Sequence, residues 1–219
     1  MKYLVERRFN NNYLRMKKVI QIVLAIAIIG LVYLLADSIM KPVRFDKEVK
    51  IREVEVIQRA KDIRAAQQAY KAIYGEYTNN FDTLIHFVLT DSLTMQRSVG
   101  SADDSLAVAT GQYYVEEFRI PVIDTIFSRK LTPQQVREFP IVPHSENEKF
   151  FLDAGYVATE SGIVVPVFEL RAPYNYYLIG LDRQQIDNLI DEKVNTYEKY
   201  PGIKVGDMRA ATNDAGNWE

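Results

Sequence analysis

The apolar positions of this chain change period three times, and each change marks an element. From Val19 to Ala36 the run VIQIVLAIAIIGLVYLLA has no charge and one polar side chain, Gln21. At about 1.5 Å per residue an 18-residue helix measures roughly 27 Å, close to the ~30 Å hydrocarbon thickness of a bilayer. A core helix of that length would show a polar face, and this one shows none. The pattern predicts one transmembrane helix, with Tyr33 near one end. A cleaved signal peptide is the rival reading. The run exceeds the usual ~7–15-residue apolar core of such peptides. Its exit, DSIMKPVRF, lacks a small-x-small site, so the segment is expected to be retained as an anchor.

Pro42 follows, and should kink the helix or start a new one. Between Asp46 and Tyr74 there is neither proline nor glycine, and Ala, Lys, Arg, Gln and Glu abound, so helix is predicted throughout. Apolar residues recur at helical spacing at Val49, Val56, Ala60, Ile63, Ala66, Tyr70, Ile73 and Tyr77. For residues 46–59, charge-rich with a narrow seam, the reading is an exposed stalk that packs on other subunits. For residues 60–77 it is a helix docked on its own domain. Arg52 and Arg59 at companion positions argue against a dimeric coiled coil. Gly75 suits the left-handed position that closes a helix. Asn80 can cap a second, short helix with Phe81, Leu84, Ile85, Val88 and Leu89 on one face.

The distal half changes to period two. Residues 98–112, SVGSADDSLAVATGQ, read as a loop. In the next run Tyr114, Phe118, Ile120 and Val122 share a strand face, with Glu116 a charge out of pattern and Pro121 marking an edge. Thr132, Pro133 and Gln135 announce a short capped helix. Glu160-Ser161-Gly162 joins two strand-like runs as a hairpin, with Val164, Phe168 and Leu170 on the buried face. YNYYLIGL reads as a third strand. Asp182 and Gln185 open a last helix carrying Ile186, Leu189, Ile190, Val194 and Tyr197, which Tyr200-Pro201-Gly202 ends. The polar tail contains Trp218, a docking anchor or an exposed aromatic.

The predicted class is α+β. A transmembrane helix continues into a long amphipathic helix, packed on an antiparallel sheet with short helices. The expected divisions are a basic flank (1–18), the membrane helix (19–36), the stalk (37–59) and an extracytoplasmic domain (60–219). Net charge over the 219 residues is -2, which does not suit a general nucleic-acid binder. The flank holds six basic side chains and one acid, a net of +5, and the positive-inside rule places it in the cytoplasm. There is no cysteine, which excludes disulfides and thiolate chemistry. His86 and His144 are too far apart in sequence to suggest a metal site, and Asp103-Asp104 offers too few oxygens for calcium. Glu116 and Glu117 point to opposite strand faces and cannot act as a facing pair. No phosphate-loop, dinucleotide or hydrolase motif occurs. No catalytic, cofactor or metal residue is therefore assigned.

An anchor running into an amphipathic helix, then Ala66, Tyr70, Gly75, Tyr77 and Leu84 in that order, resembles the type IV pilin-like proteins, above all the pseudopilins of type II secretion. The chain is also similar to single-pass membrane proteins of Bacteroidetes-type bacteria. The pilin resemblance covers about residues 19–89. It implies a helix packed on an antiparallel sheet, assembly through hydrophobic helices and a structural, non-catalytic role. Met16-Lys17-Lys18 stands where prepilins carry a leader glycine, and no glutamate follows at the fifth apolar position, so an unprocessed N-terminus is expected. The functional expectation is a structural or assembly subunit of a bacterial envelope machine in the inner membrane, with its C-terminal domain periplasmic. Its partners would be the lipid bilayer, other envelope subunits or itself, reached through an assembly helix of Val49, Val56, Ala60, Ile63, Ala66 and Tyr70 and a possible docking tail at Trp218. The alternative is a membrane-tethered binding or scaffolding module.

Overall fold

The computed structural model describes the backbone of residues 2–99 and 114–219 and the side chains of 17–98 and 114–219. Asp103-Asp104 and most of the expected loop lie outside the described residues. Two compact units emerge, Met1–Glu48 and Val49–Glu219. Helix α1, Lys2–Tyr74, supplies the described part of the first and the opening helix of the second. It continues through Pro42 rather than restarting there. The large apolar side chains from Val19 to Leu35 are 52–72% exposed, and this stretch is long and apolar enough to cross a membrane.

In the second unit, Val56, Ala60, Ile63, Ala66 and Gln67 of α1 are fully buried and Val49 nearly so. Their spacing follows the 3.6-residue helical period, the stripe that a helix turns toward a core. The compact unit thus begins at Val49, ahead of the expected boundary at residue 60. Gly75 closes α1 with φ +81°, and its N–H donates to the Lys71 carbonyl (2.8 Å). Any side chain would be strained there. Helix α2, Phe81–Thr90, is capped by the Asn80 carboxamide, which accepts from Asp82 and Thr83, and buries Leu84, Phe87 and Val88.

Strand β1, Ser92–Val99, pairs antiparallel with β2, Tyr114–Pro121, as a separate two-stranded ribbon. Ser98 and Val99 therefore belong to a strand, not to the expected loop. Short helices follow: α3, Val122–Thr125, and α4, Pro133–Arg137, where Thr132 and Gln135 form the complete reciprocal cap. The second sheet has order β3-β4-β5, all antiparallel: Phe151–Ala158, Val164–Pro173 and Gly202–Gly206. The 160–162 turn joins β3 to β4 as expected. Phe168 and Leu170 are buried, but Val164 at the hairpin end is 63% exposed.

YNYYLIGL is not a strand. Tyr174–Tyr177 forms helix α5, because helical spacing buries both Tyr174 and Tyr177 while Asn175 faces out. The third strand is instead β5, whose Ile203 and Val205 are buried. Helix α6, Arg183–Asp191, is capped by Asp182 and passes into a wider turn, Glu192–Thr196. Only Ile186 of its apolar stripe is buried. Val194 and Tyr197 are exposed.

Candidate functional site

Three clusters carry the polar chemistry of the second unit. The first ties the C-terminal tail to α1. Arg64 Nη1 donates to the Glu219 carboxylate (2.6 Å) and to the Asp214 carbonyl (3.2 Å), and its guanidinium sits 5.8 Å from the Trp218 ring centroid. Gln68 Nε2 and the Tyr77 hydroxyl both donate to Asp214 Oδ2 (3.1 and 2.7 Å), and Lys71 Nζ donates to the same hydroxyl (3.2 Å). Burial, then the Asp214 bond, pushes the Tyr77 phenol well above its usual range. Asn217 adds bonds to the first and middle residues of β5, donating to the Gly202 carbonyl and accepting from Lys204 N–H. A shallow cavity of about 150 Å³ lies here, lined in part by Lys71, Tyr77, Phe168, Thr212 and Asp214. Ligand clefts usually run to ~300–1,000 Å³, and the side chains that could grip a ligand are already bonded to one another. The cluster is built as a clamp that holds the tail.

The second cluster runs along α1. Three arginines cross to backbone carbonyls of distant segments: Arg52 to Tyr177 and Ile179, Arg59 to Glu138 and Ile141, and Arg64 to Asp214. Buried Asp62 accepts from Arg129 (2.7 Å) and Gln58 (3.0 Å), and buried Gln67 pairs both ways with the Thr78 backbone. Desolvation raises Glu53 above the usual carboxylate range, against the lowering effect of its bond with the Tyr174 hydroxyl. Next to it, burial pushes the Tyr177 phenol far up, and among the described residues its hydroxyl has no hydrogen-bond partner. His144 Nε2 lies 3.0 Å from Glu55, and His86 is an exposed helix residue beside Thr90. Among the described residues no group of three or more His, Asp or Glu side chains could hold a metal ion.

The third is the β1–β2 ribbon. Cross-strand register places Leu93 opposite Ile120 and Met95 opposite Phe118 on one face. Glu116, out of pattern in sequence, stands opposite Arg97 and pairs with it at 2.7 Å. The other face is polar at its centre, with Thr94 opposite Arg119 and Gln96 bonded to Glu117 (2.7 Å), and carries Val115 and Pro121 towards its ends. Met95, Tyr114, Val115 and Phe118 are 36–53% exposed.

The expected assembly residues fall out differently from one another. Val49, Val56, Ala60, Ile63 and Ala66 face the core of the chain's own unit. Of these, Val49 and Val56 belong to the stalk expected for residues 46–59 and are buried within this unit, whereas Ala60, Ile63 and Ala66 lie in the stretch expected to dock on its own domain. Tyr70 is half-buried, its ring 4.5 Å from Tyr74 and 5.3 Å from Phe87. Trp218 is half-buried against Arg64 of the same chain. The arginine contacts were not foreseen; Arg52 and Arg59 were read only as arguments against a dimeric coiled coil. Compared with family models, with curated proteins and with solved structures, the chain matches none.

Proposed function

We propose that the chain is a non-catalytic, membrane-tethered interaction subunit of a bacterial envelope. The apolar stretch 19–36 anchors it in the inner membrane, the basic flank stays in the cytoplasm, and the Val49–Glu219 unit meets protein partners outside. The reading rests on one contrast. The large apolar side chains from Val19 to Leu35 are more than half exposed, whereas the seam from Val49 to Ala66 is sealed inside its own unit. Exposed apolar side chains over a full bilayer length call for lipid or another helix. The sealed seam makes the outer unit self-sufficient, as a tethered module needs to be.

A second reading, helix-mediated assembly of the pilin-like kind, is favoured by Ile51 and Val54, which stand 47% and 67% exposed on the outer face of α1. In that case these two residues, with the anchor, would contact neighbouring subunits in place of Val49 and Val56. The absence of cysteine makes the test clean. Single cysteines at Ile28 and Val54 are crosslinked in native membranes, and the protein is extracted in mild detergent for sizing and mass spectrometry of what co-purifies. Defined partners without crosslinks at these sites support the tethered module. Crosslinks at both sites in a large homogeneous complex support helix assembly. A small species with no partner and no crosslink refutes both.

A further inference from the structure

We propose that the outer edge of β2 is a self-recognition site, at which a second copy of this chain adds its own β2 antiparallel to form a four-stranded sheet. The geometry starts from one hydrogen bond. Val122 N–H donates to the Asp91 carbonyl (3.0 Å), in line with the β1–β2 register. Even-numbered residues of β2 therefore direct their backbone groups toward β1, and Val115, Glu117, Arg119 and Pro121 direct theirs outward. Pro121, which has no N–H, falls on the outer side, where a proline is tolerated. Among the described residues the sheet ends at β2, and every residue from Tyr114 to Arg119 is exposed.

Such an edge invites strand addition. A twofold pairing must set outward residues opposite outward residues, and three such registers place the outward charges of Glu117 and Arg119 opposite one another. One opposes Glu117 to Glu117 and another opposes Arg119 to Arg119; like charges directly opposite are destabilising. The third, centred on Phe118, opposes Glu117 to Arg119 twice. It also brings the two Phe118 rings together in a close, non-hydrogen-bonded pair on the apolar face. Glu116 then faces Ile120 of the copy, with its charge already met by Arg97 at 2.7 Å. The charges thus admit one register out of three. The β1 edge has no comparable code, since its outward residues Ser92, Thr94, Gln96 and Ser98 are uncharged. The occupant is a second copy because the complementarity is internal to β2. This site is independent of the membrane reading.

The test uses the full chain in mild detergent. Phe118→Cys is expected to form a disulfide dimer under mild oxidation, while Thr94→Cys on the opposite edge is not. Glu117→Lys and Arg119→Glu are each expected to weaken dimerisation about tenfold, and the double swap to restore it. Emission from Trp218, the single tryptophan, verifies that each variant is folded. Equal crosslinking at 118 and 94, or a dimer indifferent to both charge reversals, overturns the proposal. Pairing of β2 with a different protein, seen as a heterologous disulfide at residue 118, overturns it as well.

Discussion

At the residue scale, two positions make the clearest statements. Gly216 lies so close under Trp218 that a Cβ there would stand 2.5 Å from the indole ring. Real side chains do not approach so closely, so Gly216→Ala should push the ring off Arg64 and loosen the tail. Red-shifted Trp218 emission, with easier proteolysis after residue 206, is the expected outcome, and unchanged emission would refute the clamp. Glu53 makes the second statement, through pH. Its carboxyl is raised above the ordinary 4.5, chiefly by burial, so the folded chain binds that proton more readily than the unfolded one. Stability therefore falls as pH rises from about 4.5 through the folded value, and the penalty persists above it. Glu53→Gln removes the charge and keeps an acceptor for Tyr174. The variant should melt higher than the parent near about pH 8, with the difference closing near about pH 4. A lower melting temperature at both would mean that the charge is stabilising. Neither site was legible in sequence. Trp218 could be flagged as unusual, but its partner Arg64 is 154 positions away, and the burial of Glu53 depends on tyrosines beyond residue 173.

At the element scale, local signals were read well and partnership was not. Gly75, Asn80, the Thr132–Gln135 cap and the 160–162 turn act through neighbours within four residues, and each stands where the sequence put it. The strands β1 and β5 were missed for different reasons. SLTMQRSV alternates, but its apolar side is broken by Arg97, whose role appears only when Glu116 lies opposite. GIKVG is five residues that begin and end on glycine, too short to outweigh the polar tail around it. The helical seam was seen along its length and its docking on the chain's own unit was expected only from residue 60 onward, whereas Val49 and Val56 are buried there too, since periodicity reports that a face is buried and not by what. Truncation separates the two cases. Ile63→Ala, fully buried, should cost about 2–5 kcal/mol of stability, whereas Ile51→Ala, 47% exposed, should stay within about 0.5 kcal/mol. Thermal melts of the detergent-extracted protein would show it. A near-neutral Ile63→Ala would return the seam to an intermolecular role.

At the scale of the whole molecule, charge and hydropathy are arranged end to end. The +5 flank precedes a segment of roughly bilayer length, and the residues after it must sum to -7 to give the net -2. Positive charge beside a span is retained on the cytoplasmic side, so the acidic remainder should be translocated. The orientation can be tested because every cysteine in the experiment is an introduced one. Val54→Cys, 67% exposed on α1, should react with a membrane-impermeant maleimide once the outer envelope is permeabilised. A cysteine at Asn10 should react only after the inner membrane is opened. Val56→Cys, two positions on and fully buried, should react in neither case unless the protein is unfolded, which controls for leakage. Labelling of residue 10 before residue 54 would invert the topology and move every proposed partner to the cytoplasm. Labelling of both at once would mean that the apolar stretch does not span. The same three cysteines therefore separate the fold from the address: residues 54 and 56 report helix burial, and residues 10 and 54 report the sides of the membrane.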